Sequence, residues 1–79
     1  MPTAIVLINA EIGKEMDILQ ELCNMKEVAH GFLVYGVYDL VAMVNAETME
    51  KLEDTITYKV RKIPGIRSTL TLIVSRQCK

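Results

Sequence analysis

The chain has 79 residues, of which 51% are hydrophobic and 24% charged, and its formal net charge is −1. This length predicts one domain with a thin core, and the apolar composition excludes a disordered chain. The even charge balance gives no reason to expect a concentrated basic face for nucleic acid. No stretch approaches the roughly 18 apolar residues that cross a bilayer, so we expect a cytoplasmic protein without membrane contact.

The first half of the chain predicts a strand, an amphipathic helix and a second strand. Residues 3–10 (TAIVLINA) are rich in β-formers. A helix is predicted over 14–25, because apolar residues recur on one side and charged residues on the other. The apolar side comprises Met16, Leu19, Leu22 and Cys23. The second strand is predicted from about Val28 to Tyr35.

The second half predicts a strand, a longer helix and a last strand. The strand runs from Leu40 to about Asn45, and the helix covers 47–63. Acidic residues at the start of this helix and basic residues at its end complement the helix dipole. Its apolar stripe is Met49, Leu52, Ile56, Val60 and Ile63. The Pro64-Gly65 pair ends it, and 67–75 (RSTLTLIVS) form the last strand.

The order β-α-β-β-α-β predicts an α+β, ferredoxin-like sandwich, in which two helices cover one face of a four-stranded antiparallel sheet. The other face should then be polar, yet the strands are apolar on both sides. In strand one, Ala4, Val6 and Ile8 alternate with Ile5 and Leu7. We therefore expect a second copy of the chain to cover the free face, giving a dimer that pairs through its sheets.

Candidate catalytic and metal-binding residues are few. His30 is the only histidine, and no base, nucleophile or carboxylate pair accompanies it at a suggestive spacing. Cys23 and Cys78 lie far apart, which favours free thiols over a metal site or a disulfide framework. No glycine-rich phosphate loop is present. The sequence therefore predicts neither an enzyme, nor a metal, nor a cofactor.

Two polar motifs remain. Gly36-x-Tyr38-Asp39 follows the second strand, and Ser68-Thr69-Leu70-Thr71 opens the last one. Each has a plain structural interpretation, as a turn and as an edge-strand face. Together they offer a carboxylate for an ammonium group, with hydroxyls and backbone amides for a carboxylate. Those are the two ends of a free amino acid.

The same residues resemble a known family. VYGVYDL (34–40) and IPGIRSTLTL (63–72), with an apolar opening strand and Gly13 beyond it, resemble the ligand-binding (RAM) domain of the leucine-responsive and asparagine-responsive (Lrp/AsnC) transcriptional regulators. The resemblance covers about residues 3–75, so 1–79 is interpreted as a single RAM domain. Typical members carry a preceding helix-turn-helix domain. Here strand one follows Met1 almost at once, so we expect a stand-alone RAM protein without direct nucleic-acid binding.

The resemblance implies both an assembly and a site. RAM domains dimerise through their sheets, the dimers often form octamers, and amino-acid effectors bind between dimers. Asp39 would receive the ammonium group of the ligand. The other ligand-binding residues implied are Tyr35, Gly36 and Tyr38 in the turn and Ser68, Thr69 and Thr71 in the last strand.

The resulting hypothesis is a non-catalytic, oligomeric amino-acid-binding module. It would modulate amino-acid-responsive transcription alone or together with full-length Lrp/AsnC relatives. Two alternatives stay open: a ligand-free assembly domain, and a small dimeric ferredoxin-like monooxygenase or isomerase that uses His30. The sequence leaves the amino acid, the partner regulator and the choice between dimer and octamer undecided.

Overall fold

The computed structural model describes residues 1–79 and confirms the predicted ferredoxin-like fold. Four antiparallel strands form one sheet in the order β2-β3-β1-β4. The elements are β1 (Thr3–Ala10), α1 (Glu15–Cys23), β2 (Val28–Leu33), β3 (Leu40–Asn45), α2 (Met49–Thr55), a π-helical turn (Ile56–Val60) and β4 (Ile66–Ile73). No helix is long and apolar enough to cross a membrane.

The core lies between the helices and one face of the sheet. The two central strands, β1 and β3, bury every second side chain there, as period-two alternation requires. The fully buried side chains are Ala4, Val6, Ile8, Leu40, Ala42, Val44, Ile18, Leu22, Leu52 and Val60. The predicted bounds of β1 and β3 are therefore confirmed.

The outer strands differ from their predicted bounds at their ends. β2 ends at Leu33 instead of Tyr35 because the chain turns there, and the Val34 amide donates to the Asp39 carbonyl at 2.9 Å. β4 covers Ile66–Ile73 instead of 67–75. Both strands lie at the edges of the sheet, where each hydrogen-bonds to only one neighbouring strand. The positions of their ends are therefore less strongly determined.

The first helix is shorter, and its buried stripe differs from the predicted one. It spans Glu15–Cys23, and its buried residues are Ile18 and Leu22. Met16 is 63% exposed and Cys23 is also exposed. Ile18 and Leu22 are four residues apart and share a face, whereas Met16 lies about 200° around the helix from Ile18. The helical period was thus predicted correctly, but the buried face was oriented wrongly around the helix axis, so that Met16 and Cys23 were wrongly assigned to it.

The second helix begins with a side-chain cap and ends in a wider turn. The Thr48 hydroxyl accepts a hydrogen bond from the Lys51 amide at 3.1 Å. Leu52, Ile56 and Val60 are buried as predicted, whereas Met49 is 43% exposed. Successive steps of four residues drift around a helix that has 3.6 residues per turn. The π-helical turn, which begins at Ile56, keeps this stripe against the sheet.

The connection from the π-helical turn to β4 passes close to the start of α1. Gly65 has φ +95°, and its carbonyl accepts a hydrogen bond from the Glu11 amide at 2.7 Å. A Cβ atom at Gly65 would lie 2.8 Å from the Cβ atom of Lys14. Glycine is therefore required here both by the backbone conformation and by the neighbouring chain.

Candidate functional site

The sheet face without helices, here called the open face, is apolar across all four strands. Its first row is Phe32, Val41, Leu7 and Leu70, and its second row is His30, Met43, Ile5 and Leu72. Residues opposite one another in register share a face, so these side chains are neighbours. Phe32, Leu70 and Leu72 are each about half exposed. The imidazole of His30 is the one polar side chain in the two rows, which contain no carboxylate, ammonium or guanidinium group.

His30 lies at the β2 edge of the open face. Its ring stacks on Phe32 with the centroids 6.1 Å apart, and it is exposed. No ion pair joins it to a carboxylate. No group of three or more histidine, cysteine, aspartate or glutamate side chains is placed to hold a metal ion.

Asp39 ties the turn after β2 to the central strand. Its Oδ2 accepts a hydrogen bond from the Ala10 amide at 2.8 Å, and its own amide donates to the Ile8 carbonyl at 2.9 Å. The carboxylate is part-buried, and one of its oxygens is engaged inside the chain. The second oxygen retains acceptor capacity, since an ionised carboxylate accepts several hydrogen bonds.

The other predicted turn residues are open to solvent or nearly so. Tyr35 is fully exposed, and Tyr38 is half-buried. Gly36 has φ +157°, and a Cβ atom built there would meet nothing within 4 Å. Within one chain the turn is thus a protruding edge, not the wall of a closed pocket.

The three hydroxyl residues of β4 lie on two different faces. Ser68 pairs in register with Asn9, and the side-chain amide of Asn9 (Nδ2) donates a hydrogen bond to the Ser68 hydroxyl at 3.2 Å. Thr69 and Thr71 pair with the buried residues Ile8 and Val6, so they share the helix-covered face. They border a cavity of about 350 Å³ whose other wall comes from α2 and the π-helical turn.

The predicted site residues therefore form two groups in one chain. Asp39 and Ser68 lie on either side of the end of β1, at the same end of the sheet. Thr69 and Thr71 lie beneath the second helix, in a cavity that no residue of the turn lines. The sequence grouped these residues by their chemistry and by the family resemblance, and it left open which face each strand residue occupies.

A larger cavity, which the sequence did not predict, lies at the opposite end of the β2–β3 pair. It measures about 620 Å³, and we call it the helix-2 cavity. Its lining residues are Met1, Lys26, Glu27, Ala29, Asn45, Ala46, Glu47, Lys51, Asp54, Thr55, Tyr58 and Lys59. The signal available in the sequence was the helical spacing of Glu47, Lys51 and Asp54, which is also typical of a solvated helix face.

One ion pair crosses the helix-2 cavity. The Lys59 ammonium lies 2.6 Å from Glu27 Oε2, and the Glu27 side chain is 16% exposed. The hydrogen bond from Lys59 is the main cause that lowers the pKa of Glu27 below its ordinary value of 4.5. The pair fastens the start of β2 to the π-helical turn.

This ion pair predicts a pH-dependent contribution to stability. Because the Glu27 pKa is lowered by folding, its stabilisation is present above pH 4.5 and is lost as the pH falls through the lowered pKa. We expect Glu27→Gln to reduce the free energy of unfolding by about 0.5–1 kcal/mol at pH 7, since Lys59 is half exposed. Urea unfolding across pH should show this difference vanish in acid. Glu47→Gln, which breaks the exposed 3.4 Å pair with Lys51, is the control and should change stability little at any pH.

Comparison with known proteins identifies the family. The family model of the Lrp/AsnC ligand binding domain matches residues 3–79. The chain belongs to the Lrp/AsnC family. Among curated Lrp/AsnC relatives, an uncharacterized HTH-type transcriptional regulator of Pyrococcus abyssi is 36% identical over 72 residues, which is 91% of this chain and 46% of that protein. The chain thus spans about half the length of the curated relatives it matches.

Solved Lrp/AsnC-type structures share the fold closely. FFRP-DM1 is 40% identical with a TM-score of 0.90, and the match covers 94% of this chain and 99% of that one. A hypothetical protein of Pyrococcus horikoshii is 38% identical with a TM-score of 0.90, covering 99% and 94% of the two chains. A regulator of Neisseria meningitidis, solved as a complex with L-Met, has a TM-score of 0.86 at 15% identity, covering 99% and 52%. At that identity the likeness shows the fold alone.

Proposed function

We propose that this chain is a non-catalytic module that binds a free amino acid, assembles with copies of itself, and modulates amino-acid-responsive transcription in the cytoplasm. It acts alone or together with full-length Lrp/AsnC relatives. The observation that carries the proposal is the match of residues 3–79 to a family of ligand-binding domains whose relatives are transcriptional regulators. The methionine complex of the Neisseria regulator supports an amino acid as the ligand class.

Self-association through the open face follows from its composition. Seven apolar side chains and His30 form two rows across the whole sheet, with no carboxylate, ammonium or guanidinium group among them. A monomer would leave this surface in water, whereas an isologous dimer buries it against an identical copy. The small core of a 79-residue chain adds to the advantage of such a dimer. Dimers assemble further in this proposal, up to an octamer.

The amino-acid site forms at the turn and is completed by a neighbouring dimer. Asp39 accepts the ligand ammonium with its second oxygen, while Tyr35, Gly36 and Tyr38 present the exposed edge that contacts the ligand. The hydroxyls of Ser68, Thr69 and Thr71 belong to the same proposed site. The division of these residues between two faces supports a site built from more than one chain, because one chain does not enclose the ligand.

Asp39→Asn tests this site. The amide keeps an oxygen that can accept from the Ala10 amide, so we expect little change in stability. The loss of a charge-assisted hydrogen bond should weaken amino-acid binding by about 1.5–3 kcal/mol, or about 10- to 150-fold. The measurement is calorimetric titration of the amino acid that gives the largest thermal shift among the twenty.

Asp17→Asn is the matched control, because it removes the same charge from the exposed side of α1. Equal affinities of Asp39→Asn and the unaltered protein would remove Asp39 from the site. If none of the twenty amino acids binds, the assembly-domain hypothesis replaces the ligand-binding one.

A further inference from the structure

The helix-2 cavity runs along the second helix and the residues that flank it. Lys51 and Asp54 line it from α2, three residues apart and therefore on the same side of the helix. Glu47 lines it from just before the Thr48 cap, and Tyr58 lines it from the π-helical turn. The π-helical turn continues this face, so that Lys59 also reaches the cavity and meets Glu27 on the opposite wall.

The charges around the cavity are balanced but not fully paired. Three lysines and three carboxylates line it. Two ion pairs, Lys59–Glu27 and Lys51–Glu47, use four of these groups. Lys26 and Asp54 form no ion pair, although both line the same space. One stands just before β2 and the other on α2, so a cation and an anion are presented from two different walls.

The uncharged lining residues are partly apolar (Met1, Ala29, Ala46 and Tyr58) and partly polar (Asn45 and Thr55), and the volume suits a small ligand. Ala29 and Ala46 present methyl groups from the strand side, and the Tyr58 ring lies on the helix side. The cavity volume of about 620 Å³ falls within the range of about 300–1,000 Å³ that is usual for small-molecule sites. Such sites are usually lined mainly by apolar side chains, whereas eight of the twelve lining residues here are polar or charged, which favours a charged ligand.

We propose that the helix-2 cavity is a second ligand site, separate from the turn, and that it binds a zwitterion with an apolar side chain. The ligand carboxylate pairs with Lys26, its ammonium group pairs with Asp54, and its side chain contacts Tyr58 and the two alanines. A free amino acid has this chemistry. The site relies on the proposed function only for the choice of amino acids as test ligands, because the turn lies at the other end of the β2–β3 pair.

The test is a calorimetric titration of the full chain in its own assembly state. All twenty L-amino acids are screened by thermal shift, and L-leucine is titrated beside 4-methylpentanoate and 3-methylbutylamine, which each lack one of its charges. We expect leucine to bind more tightly than either analogue. Lys26→Gln and Asp54→Asn should each weaken binding about tenfold or more, as the loss of one charge-assisted hydrogen bond requires.

The control variants are Lys62→Gln and Asp17→Asn, exposed residues that do not line the cavity, and both should bind like the unaltered protein. Asp39→Asn distinguishes binding at the turn from binding in the helix-2 cavity. If Asp39→Asn abolishes all binding while Lys26→Gln and Asp54→Asn do not alter it, the turn site stands and the cavity proposal is overturned. If the cavity variants weaken binding in the Asp39→Asn background as well, the cavity binds independently of the turn. A panel in which no amino acid binds overturns both.

Discussion

Leu70→Lys is expected to convert the proposed dimer into a monomer of 8.9 kDa. Leu70 lies in the first row of the open face, opposite Leu7, and is 47% exposed in the single chain. In the proposed sheet-to-sheet dimer a lysine there would place an unpaired charge in an apolar interface. An uncompensated buried charge costs about 3–5 kcal/mol, which weakens dimerisation at least about hundredfold.

Light scattering at micromolar concentration measures this change directly. Met16→Lys is the matched control, because Met16 is also apolar and is 63% exposed, but lies on α1, away from the open face. The control should keep the mass of the unaltered protein. Because Leu70 is only half-buried in one chain, we expect the Leu70→Lys monomer to keep its fold and circular dichroism spectrum. An unaltered protein that is already monomeric would contradict the dimer.

Gly65→Ala should be strongly destabilising. A side chain at φ +95° costs about 1–2 kcal/mol in backbone strain. The new Cβ atom would also lie 2.8 Å from the Cβ atom of Lys14, which cannot move without its backbone. Overpacking of this kind adds about 1–3 kcal/mol, so the free energy of unfolding should fall by about 2–5 kcal/mol in total.

Gly13→Ala separates strain from overpacking. Gly13 has a similar φ of +88°, but a Cβ atom there meets nothing within 4 Å. We expect it to lose about 1–2 kcal/mol, from strain alone. Denaturant unfolding of the two variants should therefore give clearly different midpoints. Equal losses would mean that the start of α1 moves aside at little cost.

The fold was largely predictable because its central strands carry a strict pattern. β1 and β3 alternate between two apolar faces, and the turn residues Gly13, Gly36 and Gly65 interrupt the pattern where the chain reverses. The rotation of α1 was not predictable at Met16, because a helix of nine residues with a narrow apolar stripe fits several orientations. Its contact with the sheet, made through Ile18 and Leu22, decides the orientation.

The sequence suggests residues for the proposed site, but the geometry of these residues was not predictable. The turn motif placed Asp39 at the end of the sheet, yet its hydrogen bond to the Ala10 amide depends on a strand that is 29 residues away in the sequence. Thr69 and Thr71 occupy the helix-covered face because of the register with Val6 and Ile8, which spacing alone does not fix. The helix-2 cavity depends on three separate segments and had no local motif.

The position of β1 in the sheet has a consequence for how the chain folds. The first strand of the sequence lies in the centre, where Ala4 pairs with Val44 on one side and Ile73 on the other. Each of these pairings closes a long loop. The chain must lose the conformational entropy of that loop before the pairing stabilises the sheet. During synthesis β1 remains without its second neighbour until β4 emerges. Until then a long apolar strand edge stays open to other chains, so productive folding competes with aggregation until β4 has paired.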